Sequence, residues 1–437
     1  MVLSVSVVCV FIAKGNFKLI FYDNTGAELM KATKISQFNQ SDNAAYFDIV
    51  LTEACEIFAK KYSCTEKAAK KKLLNGEYEI YTNFDLDISN KLKRVCENET
   101  LDYNVGAAIT NLKGDLVAVA SCSKKGVKAN YSVTKKSPCS AFKPLAVYAP
   151  AIEYHTAFWS TMYNDSPYSK IKDSSGKEID WPRNANNIYS YKDVTVANAI
   201  SVSLNTVAVK CLSQFGVNNS INFLEKNFDL DLTYEKNIAK SKGENEVIGN
   251  IALGSLNIGC SPVDMAGYYQ IFANSGKYCV PKTISKICSK NGEVVFERQK
   301  DYKQVISRET AQIVNELLQN VINSPNGTGR KAFCENIVVA GKTGTNDNNK
   351  DNWFIGVTPQ YSCAIWHSNT EKNYSSEMFS QIFKTVEHEI KLFSTSPNVT
   401  ERVYCLETGK LASKNCKKFE LGTYAYGVQV PICDIHN

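Results

Sequence analysis

The chain has 437 residues, 44% of them hydrophobic and 22% charged, a composition that excludes disorder over most of its length and suffices for one large domain with smaller appendages. Its 50 Lys and Arg against 44 Asp and Glu leave a net charge of +6, and the basic residues are spread along the chain, so nucleic acid is not an implied partner.

The chain begins with an uninterrupted apolar and neutral segment, M1-V-L-S-V-S-V-V-C-V-F-I-A13. It is short of the roughly 20 residues that cross a bilayer and lacks a basic start. Residues 1–13 therefore read as a partial membrane anchor or a minimal signal, with a buried strand of alternating Ser and Val as the competing reading. Residues 14–76 read as a linker or pedestal. They hold a strand at F17-K-L-I-F-Y-D23, a turn at N24-T-G26 and a helix over 45–62, where Phe47, Val50, Leu51, Cys55 and Phe58 recur at helical intervals. K67-A-A-K-K-K72 reads as a solvated helix.

Residues 77–395 form the main domain. A strand is expected over Glu77–Asp85, and two strands over 102–121 are joined by a turn at N111-L-K-G-D115. From 141 to 240 the pattern is largely helical with a polar loop over 164–187. Three strands follow at 337–345, 352–359 and 360–366, then a helix over 376–390. The tail, 396–437, reads as irregular, and no internal repeat is visible. Strands, a helical block, then strands and a helix predict a fold of the α/β (α+β) class. Its mostly antiparallel sheet is flanked by helices and closed from both ends of the chain, with a largely helical subdomain.

The fifteen cysteines are scattered and include no C-x-x-C, which argues against a zinc site; most are expected to pack as small apolar residues. Cys405, Cys416 and Cys433 lie close enough in the tail for an oxidising compartment to permit one disulfide. His155, His367, His388 and His436 form no short ligand pair and read as structural or surface residues.

Chemistry is carried by the stretch S-P-C-S-A-F-K-P over residues 137–144. Ser140 precedes Lys143 by one helical turn, which would put an amine beside a hydroxyl on one face. Alone, such a pair occurs by chance. Two further elements accompany it: S203-L-N205 between helical stretches, which could also be an ordinary cap, and K342-T-G-T345 at the end of a strand. Cys139 reads as a buried small residue in preference to a reactive thiol, and Trp353 and Phe354 read as strand core.

These three elements, with the flanking stretches Ser137–Glu153, Val202–Lys210, Ala252–Tyr278, Asn326–Arg330 (N-G-T-G-R) and Ala340–Pro359 in the same order, resemble the transpeptidase domain of class A penicillin-binding proteins. The likeness runs from about Tyr78 to the last helix. Cys139 departs from it, standing where that family usually has Gly. The resemblance implies a β-lactamase/DD-transpeptidase-like fold and a serine DD-transpeptidase that cross-links peptidoglycan stem peptides and is acylated by β-lactams. Ser140 would be the acylated nucleophile and Lys143 its base. Ser203 would bridge Lys143 and Lys342, and Lys342 would supply positive potential. Asn205 would bind the substrate amide, and Thr343 and Thr345 its terminal carboxylate. Gly344 would permit close approach, and the backbone N–H groups of Ser140 and Thr345 would form the oxyanion hole. No metal or cofactor is implied.

The implied partners are D-Ala-D-Ala donors, an amine acceptor, β-lactams, a separate glycan polymerase and, through the N-terminus, the membrane. The domain would lie on the extracytoplasmic side of the cell membrane. The E-D-x-x-F and Gln-rich motifs of the family's glycosyltransferase half are absent, and Ile20–Leu29 nearly abuts the transpeptidase entry, so the polymerising activity is not expected. A β-lactam-binding sensor or scaffold, and a DD-carboxypeptidase or β-lactamase-like hydrolase, remain alternatives; the E-x-x-L-N loop of class A β-lactamases does not occur.

Overall fold

The computed structural model describes residues 18–98, 103–123, 129–173, 175–346, 350–368, 372–387 and 389–436. The apolar segment 1–13 and His388 lie outside the described residues.

In chain order the principal elements are β1 (Lys18–Tyr22), β2 (Glu28–Ala32), α1 (Ala44–Lys61), β3 (Glu77–Thr82), α2 (Leu86–Asn98), β4 (Val105–Asn111) and β5 (Leu116–Cys122). After the turn that carries Ser140 come α3 (Asn205–Phe215), α4 (Pro262–Ala273), β6 (Ile284–Ser289), β7 (Val294–Glu297) and α5 (Arg308–Asn323). The chain then runs through β8 (Ala340–Thr345), β9 (Asp351–Val357), β10 (Tyr361–Ser368), α6 (Ser375–Val386), β11 (Val399–Cys405) and β12 (Phe419–Ala425).

The central sheet has the order β8-β9-β10-β4-β5, antiparallel throughout. Strands from before and after the helical block meet where β10 pairs with β4, so the predicted closure from both chain ends is observed. Helices cover both faces, which is why β4 reads as a continuous buried run and not as an alternating one. On one face α2 and α6 pack through Ile88, Leu92, Met378, Phe379 and Phe383 against Phe354 and Ile365. On the other, α4 is buried nearly all round and starts with a capping box in which Ser261 and Asp264 satisfy each other's backbone N–H groups.

A second five-stranded sheet, β7-β6-β3-β1-β2, was not foreseen. It joins β1 and β2 to β3 and to strands some 200 residues later, with β1 and β3 parallel. Helix α1 bridges the two sheets: the Tyr46 hydroxyl donates to the Leu116 carbonyl, and the buried Glu53 carboxylate accepts both the N–H and the hydroxyl of Thr283. The helix over 66–73 forms as expected, its lysines exposed and Ala69 and Leu73 buried. The tail corrects the expectation of irregular structure, since β11 and β12 pair in register as an antiparallel hairpin.

Candidate active site

Strand β8 lies at the edge of the central sheet, and the segment 137–143 packs beside it. Four hydrogen bonds hold the segment in place. Trp353 on β9 donates its indole N–H to the Ser137 carbonyl at 2.8 Å. The Cys139 N–H and the Ser137 hydroxyl both reach the Gly254 carbonyl. The Tyr269 hydroxyl donates to the Ala141 carbonyl at 2.5 Å. Gly344 permits the approach, because a Cβ there would stand 2.6 Å from the Pro138 carbonyl oxygen. The glycine is thus needed against the protein's own backbone. Trp353 and Phe354 are fully buried, as strand core.

The segment is a tight 3₁₀ turn at Cys139–Phe142 leading into a wide helical turn at Pro144–Tyr148 and a regular one at Ala149–Glu153. Cys139 has φ +51°, a left-handed conformation that costs a non-glycine residue about 1–2 kcal/mol. Its thiol is buried and turned toward the Ser137 carbonyl. Ser140 follows, half-buried.

Lys143 is fully buried. Its Nζ donates to the Asn205 side-chain oxygen at 2.6 Å and to the Ser203 carbonyl at 2.9 Å, and stands 3.4 Å from the Ser203 hydroxyl. Lys342, equally buried, donates from Nζ to the same hydroxyl at 2.8 Å and to the Thr343 carbonyl at 3.2 Å. Three elements far apart in sequence therefore converge on one serine oxygen. Burial lowers both amines: Lys342 comes down to about 7, and Lys143, which also feels the Lys342 charge, falls well below the usual lysine range. A neutral amine has two protons, and the two shortest contacts of Lys143 are to acceptor-only oxygens. The Leu204 carbonyl is a third such oxygen, more distant at 3.4 Å; in the neutral amine the two short bonds would take both protons and leave the lone pair for a further partner.

Ser203 is held at φ +62° between the helix over 196–201 and α3. A buried carboxylate fixes the loop around it. Asp165 accepts from the Thr206 hydroxyl, the Asn184 amide and the Ser190 N–H at 2.7, 2.8 and 2.9 Å. Asn184 in turn accepts the Asn205 N–H, and the Asn205 side-chain NH₂ donates to the Arg183 carbonyl. Burial pushes the Asp165 carboxyl up, yet these hydrogen bonds outweigh it and hold the group below its ordinary value. On the β8 side, Thr343 donates its hydroxyl proton to Thr328 of N326-G-T-G-R330, and the Asn373 amide lies 3.1–3.2 Å from the Gly344 carbonyl, the Thr345 hydroxyl and the Trp353 carbonyl.

All eight candidate residues, Ser140, Lys143, Ser203, Asn205, Lys342, Thr343, Gly344 and Thr345, lie on the three segments so assembled. Sequence reading missed Asp165, Asn184 and Asn373, which occur in no motif, and Tyr269, which lies within the Ala252–Tyr278 stretch but was given no role. It also missed a grouping remote from this site: Cys405, Cys416, Cys433 and His436 place their ligand atoms within 4.8 Å of one another, and every described cysteine is a free thiol. The lack of C-x-x-C had spoken against a metal-ligand set; C433-D-I-H436 supplies the short pair that was overlooked.

A mixed α/β fold built on an antiparallel sheet flanked by helices, with the segment 137–143 and two buried lysines gathered at its edge strand, is the fold of D,D-transpeptidase domains. Residues 103–387 match the penicillin-binding protein transpeptidase domain, and the chain belongs to that family. It is 31% identical over 342 residues to penicillin-binding protein 1A of Clostridium botulinum (strain Hall), covering 73% of this chain and 39% of that protein. It is 29% identical over 382 residues to penicillin-binding protein 1F of Bacillus subtilis (strain 168), covering 82% and 49%. The chain thus spans less than half the length of these relatives. Among solved structures, the fold is similar to the D,D-transpeptidase domain of a peptidoglycan glycosyltransferase from Eggerthella lenta (TM-score 0.64, 18% identity, 85% of this chain and 98% of that one). It is also similar to penicillin-binding protein 1A from Haemophilus influenzae (TM-score 0.69, 15% identity, 92% and 78%). No helix among the described residues is long and apolar enough to cross a membrane.

Proposed function

We propose that the chain is a serine DD-transpeptidase acting on peptidoglycan stem peptides, with Ser140 as the nucleophile that is acylated by the donor peptide and by β-lactams. The observation that carries this reading is the Ser203 hydroxyl shared by two fully buried lysines. A lysine reaches the neutral state required of a base only by desolvation or by a neighbouring cation, and Lys143 has both.

In this mechanism Lys143 takes the Ser140 proton as Oγ attacks the carbonyl carbon of the penultimate D-alanine. The proton passes through Ser203 to the departing amine, and the acceptor amine then displaces Ser140 by the reverse route. General-base assistance of this kind contributes about 10²–10⁴ in rate. The oxyanion is bound by the N–H groups of Ser140 and Thr345. Lys342 supplies positive potential for the donor's terminal carboxylate, which the Thr343 and Thr345 hydroxyls bind, while the Asn205 NH₂ is exchanged from the Arg183 carbonyl to the peptide. The open edge of β8 suits an extended peptide added as a strand. Such a peptide is available on the extracytoplasmic side of a cell membrane, carried on glycan made by a polymerase.

The test is incubation of the purified chain with a fluorescent penicillin, with mass mapping of the adduct, beside exchange of a D-amino acid probe into stem peptides. Stable label on Ser140, lost in Ser140→Ala, together with probe exchange, is expected. Label that is rapidly released would favour a β-lactamase-like hydrolase. Stable label without exchange would reduce the chain to a carboxypeptidase or sensor, and no label to a scaffold.

A further inference from the structure

We propose that the C-terminal hairpin carries a structural metal site for zinc or a similar borderline-soft divalent cation, bound by the thiolates of Cys405, Cys416 and Cys433 and by Nδ1 of His436. Cys405 ends β11, Cys416 lies in the loop to β12, and Cys433 and His436 return after β12. The three cysteines are buried, with relative exposures of 0%, 7% and 1%, and form a small cluster separate from the main cores, with the partly buried Ala412 packed against it.

The His436 Nδ1 atom lies 3.5, 3.4 and 3.3 Å from the sulfurs of Cys405, Cys416 and Cys433. One imidazole nitrogen has either one proton or one lone pair, so it cannot satisfy three thiols by hydrogen bonding. A cation at their centre can. Tetrahedral coordination with Zn–S of about 2.3 Å and Zn–N of about 2.0 Å places sulfur and nitrogen about 3.5 Å apart, which is the spacing observed. A second observation concerns the other ring nitrogen: Nε2 lies 2.9 Å from a Glu407 carboxylate oxygen. That contact puts the ring proton on Nε2 and leaves the Nδ1 lone pair facing the sulfurs, the arrangement a metal-bound histidine requires. The Ser413 N–H points at the Cys416 sulfur at 3.3 Å, as suits a thiolate acceptor.

Binding releases three thiol protons to solvent and leaves the site with one net negative charge. Three cysteines and a histidine, with no further ligand required, make a closed four-coordinate set, so the site would brace the hairpin and carry out no chemistry. A single disulfide among the three cysteines would leave one thiol unpaired and the histidine without a function.

The experiment is metal analysis by mass spectrometry of the full chain purified without chelator. Cobalt(II) substitution then follows, read by thiolate-to-metal charge-transfer and tetrahedral d–d bands. One zinc per chain is expected, with a tetrahedral cobalt spectrum. Cys416→Ser and His436→Ala should lose the ion, and Cys288→Ser should keep it. Glu407→Gln leaves all ligands in place and should weaken binding about 10–100-fold, so a folded variant reports on the site even if the ligand variants misfold. A chain whose three thiols are alkylated freely with no stoichiometric metal bound, or one in which two of them are joined as a disulfide, would overturn the proposal.

Discussion

The Ser203 hydroxyl lies 2.8 Å from Nζ of Lys342 and 3.4 Å from Nζ of Lys143, so a single oxygen links two amines that reach it from opposite elements of the fold. Two ammonium groups this close and this buried repel each other and lack water to screen them. Lys143 is the one that yields its proton, because burial and the Lys342 charge both lower it, whereas burial is what lowers Lys342. If this oxygen is the proton path, Ser203→Ala should slow labelling of Ser140 by fluorescent penicillin about 10²–10⁴-fold. Ser203→Gly, which suits the φ of +62°, should be equally slow though better folded. An unchanged labelling rate in Ser203→Ala would take the hydroxyl out of the mechanism.

The same pair predicts a pH profile. Acylation should rise on the acid side as Lys143 loses its proton, and fall around pH 7 as Lys342, which burial brings down to about 7, loses its charge. The result is a bell. Lys342→Arg keeps the charge and should remove the alkaline limb. Stability runs the other way. Between about 7 and the ordinary lysine value of 10.5 the unfolded chain binds more protons at this position than the folded one, so stability rises with pH across that window. Urea melts at pH 7 and 10 should show this gain in the wild type and less of it in Lys342→Met.

How much of this was legible depended on whether a signal was local. Helix α1 carries its own periodicity, strands β4, β5, β9 and β10 are short, largely apolar runs bounded by turns, and the S-x-x-K, S-x-N and K-T-G spacings named the candidate site. Some local signals were present and overlooked. Asp85 caps α2 by accepting the Ile88 N–H, and Ile88, Leu92 and Val95 recur at helical spacing. Asn291-Gly292, with Gly292 at φ +79°, marks the β6–β7 hairpin. The parallel pairing of β1 with β3 and the convergence of Asp165 and Asn184 behind Asn205 had no such signal. They depend on where distant segments settle, and no residue pattern within either segment encodes that.

Cys139 offers a test of backbone strain beside the nucleophile. With φ at +51° and a buried thiol, replacing it by glycine relieves about 1–2 kcal/mol of left-handed strain and gives up a side chain of comparable value, so Cys139→Gly should melt close to the wild type. Cys139→Val is different: a β-branched side chain disfavours that region strongly, and a loss of about 2 kcal/mol or more is expected, with slowed labelling of Ser140. In the folded wild type, Cys139 should resist alkylation while Ser140 is labelled. Ready modification of Cys139 in the native state would show that the turn opens.

Asp165 connects stability to the site most directly, because it holds Asn184, which holds the Asn205 N–H, and Asn205 receives the shortest bond of Lys143. Asp165→Ala strands the buried Thr206 hydroxyl and one N–H of the buried Asn184 amide, whose other N–H keeps the Ile188 carbonyl, while the exposed Ser190 can turn its N–H to water. At about 1–3 kcal/mol for each unsatisfied donor, a loss of about 2 kcal/mol or more is expected in urea melts at pH 7. Asp165→Asn should fall between, since its amide oxygen serves Thr206 and Asn184 while its NH₂ confronts the Ser190 N–H. The carboxyl is held below its ordinary 3.8, so its contribution is present above that pH and lost as pH falls through the folded value; the wild type should therefore lose its stability margin over Asp165→Asn on acidification. Slower acylation should accompany the lost stability in both variants, because Asn205 would no longer be held where Lys143 needs it. Full stability in Asp165→Ala would mean that water replaces the carboxylate, and the chain of contacts to Lys143 would have to be drawn through Arg183 alone.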